Sequence, residues 1–180
     1  MESRAIRQEQ FLGTAVSTTL AWVAKSAVAG MVAGMMMAMF AMIVAAAAGD
    51  GFWAPPRAIA ATLFGASHFG ETFAVGSVLG GAGIHMMMSG AFGFVYALFI
   101  GLVTRALGTV QQVVVGMVWG VVLWAANTAV VTPQLAGGEL FTQAMPAWAW
   151  LVAHLMFGAA LGLLYAWWRG DRTTLSDRAA

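Results

Sequence analysis

Long apolar intervals separate the few charged residues of this chain. Four intervals contain no Asp, Glu, Lys or Arg: 26–49, 72–104, 106–138 and 140–168. Each is longer than the roughly 20 apolar residues that cross the hydrocarbon core of a bilayer. Because only helices or closed barrels can span that core, the intervals indicate helices. The pattern predicts an all-α polytopic membrane protein with four transmembrane helices, near 26–48, 75–103, 110–132 and 147–168.

The same order of residues occurs twice along the chain. Residues 85–101 align without gaps with residues 154–170, and seven of the aligned positions are identical. These identities are His85/His154, Met87/Met156, Ala91/Ala160, Gly93/Gly162, Tyr96/Tyr165, Ala97/Ala166 and Gly101/Gly170. The preceding helices also match, since Gly30 to Gly34 (GMVAG) aligns with Gly116 to Gly120 (GMVWG). We therefore predict that the 26–180 bundle contains two duplicated hairpins, 26–104 and 110–169.

Composition agrees with a membrane location and excludes several classes of function. The chain is 61% hydrophobic and 8% charged, whereas soluble domains carry about 25% charged residues. It has no cysteine, which excludes disulfides, thiolate metal sites and cysteine nucleophiles. The net charge of +1 provides no basic face for nucleic acid. The expected partners are the lipid bilayer and other membrane subunits, or further copies of the chain.

The distribution of Lys and Arg predicts the orientation. Four spans place both termini and the 104–109 turn on the same side of the membrane. Seven of the eight Lys and Arg residues lie on that side, and Arg57 lies on the other. Basic residues are enriched in cytoplasmic loops. We therefore expect a multi-pass protein of a bacterial inner (cytoplasmic) membrane with both termini in the cytoplasm.

Two further segments have helical patterns. Residues 1–25 carry apolar positions near helical spacing: Phe11, Leu12, Ala15, Val16, Leu20 and Val23. They predict an amphipathic helix on the cytoplasmic surface or against a partner subunit, continuing into the first span at Lys25. In the outer loop 49–74, Pro55-Pro56 predicts the start of a short helix over 57–64 that lies at the membrane interface or dips into it. His68 and Glu71 follow, and we interpret them as solvated loop residues rather than metal ligands.

The intramembrane polar residues and the small residues are the candidate site. His85 and His154 lie at similar depths in the second and fourth spans, and Ser89 and Asn127 are further polar residues there. An ionisable side chain at this depth is costly unless it faces the bundle interior. Small-xxx-small pairs let helix backbones approach closely. Such pairs predict the helix contacts at Gly30/Gly34, Gly116/Gly120 and Gly158/Gly162.

Three interpretations of the histidine pair stay open. In the first, neutral imidazoles hydrogen-bond Ser89, Asn127, a tyrosine or the backbone and hold the hairpins together. In the second, His85 and His154 ligate a haem b iron in a membrane electron carrier. In the third, they line a polar path in a small channel or transporter subunit.

No catalytic motif accompanies these residues. The sequence contains no GxSxG, HExxH or phosphate-binding loop, and no paired carboxylates within a span. We therefore expect no enzyme activity and no resident metal or cofactor. The favoured prediction is a non-catalytic accessory or structural subunit of a larger membrane complex.

Two short patterns resemble those of YagU-type bacterial inner-membrane proteins. One is His-x3-Ser-x3-Gly-x2-Tyr in the second span, at His85, Ser89, Gly93 and Tyr96. The other lies in the third span, at Gly116, Trp119, Gly120, Trp124, Asn127 and Pro133. Asn127 stands where that pattern leads us to expect a histidine. The resemblance covers residues 80–165 and implies a small polytopic membrane protein, without assigning it an activity.

Overall fold

The structure is a computed structural model that describes residues 2–69, 74–104, 106–135 and 137–176, with side chains within 24–168. These residues form helices joined by turns. The α-helices are α1 (Glu2–Ala48), α2 (Ala54–Phe64), α3 (Val75–Val95), α4 (Leu102–Thr104), α5 (Thr109–Ala126), α6 (Gly138–Gln143) and α7 (Ala147–Ser176). Turns of π-helix extend α3 and α5, at Tyr96–Gly101 and Asn127–Val131. Short 3-10 turns occur at Ala66–Phe69 and Thr132–Gln134.

Four stretches of helix in the described part of the chain are long and apolar enough to cross a membrane: Ala24–Ala48, Val75–Ile100, Thr109–Gln134 and Ala147–Trp168. Their lengths of 22 to 26 residues correspond to about 33–39 Å at 1.5 Å per residue. This exceeds the hydrocarbon thickness of about 30 Å. The predicted all-α fold with four candidate spans is confirmed, because each span starts and ends close to its predicted position.

The spans pack as two antiparallel pairs. Helix α1 packs along α3, helix α5 packs along α7, and contacts between α1 and α7 join the two pairs. We call the end with residues 49–74 and 132–146 the outer end, and the end with residues 104–109 the inner end. Helices α1 and α7 therefore lie at the junction of the two pairs.

The core has an outer and an inner cluster. Small residues dominate the outer cluster, where Ala41 and Ala45 of α1 meet α2 and the start of α7 around Trp150. Larger side chains fill the inner cluster, in which Tyr96, Leu161 and Tyr165 pack below Ala29 and Ala33 of α1. Alanine permits close backbone approach, so α2 fits between the spans at the outer end.

Helix α2 lies against the bundle rather than apart from it. Residues 54–58 and 60–62 are buried, and α2 packs on α3 and α6. Gly49 and Gly51 precede it with φ of 93° and 92°, a left-handed conformation that glycine adopts without strain. These turns bring the chain back into the bundle after α1. Leu63 and Phe64 at the end of α2 remain exposed.

Helix α1 runs without interruption from Glu2 to Ala48. The predicted N-terminal helix and the first span are therefore continuous in the backbone. Met1 and the side chains of the first twenty residues lie outside the described part. The amphipathic character of residues 1–25 and their position on the membrane surface thus stay predictions.

Candidate functional site

Glycines bring the backbones of α1 and α3 into contact. A side chain added at Gly30 would overlap the carbonyl oxygen of Ser89, and one at Gly93 would overlap the carbonyl oxygen of Ser26. Gly34 lies against the side chain of Ser89, which is itself buried. These contacts leave no room for a larger residue, so the close approach of the two helices depends on the glycines.

The α5–α7 pair makes glycine contacts at the positions that align with those of the α1–α3 pair. Gly116 lies against the carbonyl of Gly158, just as Gly30 lies against that of Ser89. Gly162 lies against the carbonyl of Gln112, and Gly120 lies against the carbonyl of His154. The structure thus places all six glycines singled out from the sequence at helix–helix contacts.

His85 joins α3 to α1. Its Nε2 lies 2.9 Å from the carbonyl oxygen of Gly34. Because a carbonyl only accepts, Nε2 carries the proton and donates it in this bond. The bond crosses the same seam that the glycines form. The imidazole therefore contributes directly to the contact between two spans.

His154 makes a different bond. Its Nδ1 donates to the carbonyl oxygen of Trp150, one turn earlier in α7, at 2.7 Å. The residue is buried, and its own carbonyl contacts Gly120 of α5. Both histidines thus use backbone carbonyls rather than Ser89, Asn127 or a tyrosine. Asn127 begins the π-helical extension of α5.

A polar cluster at the inner end was absent from the sequence interpretation. Gln112 and Tyr96 are fully buried there. The hydroxyl of Tyr96 donates to Oε1 of Gln112 at 3.1 Å, and Nε2 of Gln112 donates to the carbonyl and the hydroxyl of Thr104. This cluster ties the end of the first hairpin to the start of the second. A glutamine at the start of a predicted span was the signal that could have identified it.

We expect Gln112→Leu to weaken this connection. The substitution removes the side-chain acceptor of the buried Tyr96 hydroxyl at 3.1 Å and keeps the backbone carbonyl of residue 112 at 3.5 Å. Hydrogen bonds between membrane helices contribute about 0.6 kcal/mol on average, with a maximum of about 1.7. Unfolding of Gln112→Leu, Tyr96→Phe and the double variant in mixed micelles would measure the coupling energy between the two residues. Additive effects of the two substitutions would show that the hydrogen bond contributes no stability.

Two buried indole N–H groups lack an internal hydrogen bond of the kind that Gln112 and Tyr96 make. Nε1 of Trp119 and Nε1 of Trp150 have no acceptor among the atoms that the structure describes. Trp150 stacks on Phe141 of α6 with ring centroids 4.2 Å apart, so its ring is held by packing alone. An unpaired buried donor costs about 1–3 kcal/mol, which an ordered water molecule would offset.

Polar contacts also hold the segment that connects α1 to α3 at the outer end. Arg57 is buried, and its Nε donates to the carbonyl of Trp53 at 3.2 Å. Nδ1 of His68 and the hydroxyl of Ser77 lie 2.9 Å apart and share a hydrogen bond. This bond fixes the Ala66–Phe69 turn to the start of α3. His68 is therefore paired with Ser77, while Glu71 lies outside the described residues.

A haem between the two histidines requires a free ligating nitrogen on each ring and space for the porphyrin. The hydrogen bonds described above use Nε2 of His85 and Nδ1 of His154, so iron would have to bind Nδ1 of His85 and Nε2 of His154. The glycines at the helix contacts beside the histidines, Gly34, Gly120 and Gly158, lie against side-chain or backbone atoms of the neighbouring helix. These seams therefore leave no gap for a porphyrin at the glycine contacts beside the two histidines.

Comparisons with known proteins identify no relative. No protein family matches the chain, and neither a curated protein nor a solved structure is similar to it. The resemblance to YagU-type proteins therefore stays an expectation from the two sequence patterns.

Proposed function

We propose that this chain is a non-catalytic structural subunit of a membrane assembly. The proposal rests on one observation, which is that intramembrane polar groups of the chain form hydrogen bonds within the bundle. His85 bonds Gly34 across the α1–α3 seam, and Gln112 bonds Tyr96 and Thr104 between the hairpins. Groups used in this way stabilise a scaffold. Haem binding and solute permeation stay alternative hypotheses that no described contact favours.

The outward faces of the spans support a role in assembly. Helix α1 exposes a stripe of large side chains, and their exposures lie between 40 and 60%: Met31, Met35, Met39 and Ile43. Helix α5 exposes Val110, Val114, Val118 and Val122. In a bilayer such faces contact lipid or the helix of a partner. We therefore propose that other membrane subunits, or further copies of this chain, pack on one of them.

We expect the chain to leave its native membrane as part of a larger particle. Extraction with a nanodisc-forming polymer keeps the surrounding lipid, and native mass spectrometry then gives the subunit composition. The proposal predicts a reproducible particle that contains a second polypeptide or several copies of this chain. A particle that contains one copy of the chain and no other protein, across several extraction conditions, would contradict it.

We also infer that the two hairpins arose by duplication. The glycine contacts support this inference, because Gly30 against Ser89 corresponds to Gly116 against Gly158 in the sequence alignment. The two halves differ at the outer end, where Gly81 aligns with Trp150. Gly81 lies against the carbonyl of Pro56 in α2, whereas Trp150 stacks on Phe141 in α6. The residues at this aligned position differ because α2 packs against the first and α6 packs against the second.

We expect the loops at the outer end, and not the termini, to face away from the cytoplasm. Because the chain has no cysteine, single cysteines at Ser3, Ser67, Thr142 and Ser176 report on each side separately. A membrane-impermeant thiol reagent applied from outside should label positions 67 and 142 only. Labelling of positions 3 and 176 instead would mean that the orientation is inverted.

A further inference from the structure

An apolar groove opens between α1, α5 and α7. Its volume is about 370 Å³, and its lining includes Val32 and Met36 of α1, Val113 of α5, and Met156, Ala160 and Leu163 of α7. Ala160 is one of the smallest side chains in this lining. The described side chains that line it are all apolar, so water would gain little from entering it.

The groove is short and open to the lipid-facing surface of the bundle. Its lining on α7 extends from Met156 to Leu164, which is about 12 Å along the axis. Val32, Met36 and Leu163 are 43–50% exposed, so the groove is open to the surrounding lipid. A flexible acyl chain can follow such a groove along its apolar lining.

The inner end of the groove leads to a positive charge. Lys25, Val28, Val32 and Met36 recur at helical spacing on one face of α1, so Lys25 lies below the groove wall. Lys25 is exposed, and it stands at the end of the first candidate span. On α7, Trp167 follows Ala160 and Leu163 on the same face and is also exposed. Lysine and tryptophan at this level are typical of the headgroup region.

We propose that the groove binds one acyl chain of an anionic phospholipid from the leaflet at the Lys25 end. The acyl chain lies between α1, α5 and α7, and the phosphate lies beside the Lys25 ammonium group. Charge complementarity selects an anionic headgroup, because a basic residue near the surface attracts anionic lipid. The lipid site depends on the membrane spans but not on the subunit role or on the predicted orientation. Its test therefore gives a result that is independent of those two proposals.

Photo-crosslinking tests the site directly. The full chain is reconstituted into vesicles of phosphatidylcholine and phosphatidylglycerol that contain phosphatidylglycerol with a diazirine near the end of one acyl chain. Peptide mass spectrometry then maps the labelled residues. We expect labelling to concentrate on the groove-lining peptides of α1 and α7. Ala160→Trp should fill the groove and remove this labelling.

A matched control separates filling of the groove from a general effect of tryptophan. Ala91 aligns with Ala160 in the repeat and is exposed on α3, away from the groove. Ala91→Trp should therefore keep the labelling of wild type. If Ala160→Trp does not fold, Val32→Trp closes the groove from the α1 side. Circular dichroism of each variant shows whether the helices are retained.

A separate measurement tests whether Lys25 selects the anionic headgroup. Lys25→Gln should lower the preference for phosphatidylglycerol over phosphatidylcholine about fivefold, which corresponds to the roughly 1 kcal/mol that one basic residue contributes near an anionic surface. Lys25→Arg should retain the preference. Unchanged labelling in folded Ala160→Trp or Val32→Trp would overturn the proposal. An unchanged preference in Lys25→Gln, or crosslinks from a second copy of the chain to the groove, would also overturn it.

Discussion

Replacement of Gly116 by leucine is expected to separate α5 from α7 and to unfold the second hairpin. A side chain at this position would overlap the carbonyl oxygen of Gly158, and the reciprocal substitution at Gly158 would overlap that of Gly116. The obstacle is backbone on both sides, so it cannot move aside as a side chain does. Overpacking of a core typically costs about 1–3 kcal/mol and occasionally more. We expect Gly116→Leu to reach or exceed the upper value.

Gly83→Leu is the matched control for this substitution. Gly83 lies within α3 in a candidate span, and no atom stands within contact distance of a side chain added there. The control therefore carries the same change in helix propensity without the steric overlap. Unfolding in mixed micelles, followed by circular dichroism, should show a large loss of stability for Gly116→Leu and a small change for Gly83→Leu. Equal stability of the two variants would show that the α5–α7 contact is not close packed.

The second large effect is expected at Gly81, where leucine should displace α2 from the bundle. Gly81 lies against the carbonyl of Pro56, within the segment of α2 that is buried. A cysteine at Ala60, which is fully buried, would report the displacement because the chain has no other thiol. An overpacking cost of about 1–3 kcal/mol corresponds to labelling that is roughly five to 150 times faster.

Gly76→Leu provides the comparison for this experiment, since Gly76 lies near the start of the same helix and has open space around it. The Ala60→Cys variant should react slowly with a thiol reagent both on its own and with Gly76→Leu. It should react rapidly with Gly81→Leu. If Ala60→Cys reacts rapidly without any second substitution, α2 does not pack in the bundle as the structure has it.

The spans could be predicted because one physical property decides them. Transfer of charge into hydrocarbon is costly, so the charge-free intervals and the candidate spans coincide. The burial of α2 could not be predicted in the same way. A helix of 11 residues is too short to span, and its pattern fits an interface as well as a bundle. Its position depends on a tertiary contact, the Gly81 backbone against Pro56.

The candidate site was predictable in its glycines and less so in its hydrogen bonds. Small-xxx-small spacing is a property of one helix, so Gly30/Gly34 and Gly116/Gly120 indicated close contacts before the partner helices were known. The acceptors of the histidines are backbone carbonyls, which every residue possesses. The sequence therefore cannot show which carbonyl is used, and it did not distinguish the partner of His85 on α1 from the partner of His154 on its own helix.

The absorption spectrum of the purified full chain tests the central claim most directly, namely that His85 joins α3 to α1 and that neither His85 nor His154 ligates iron. The protein would be produced in cells supplied with a haem precursor, and spectra recorded oxidised and reduced. We predict no Soret band, and we predict that His85→Ala lowers stability by about 0.6–1.7 kcal/mol without changing the spectrum. A Soret band with a sharp reduced α-band, both lost in His85→Ala and in His154→Ala, would contradict the account.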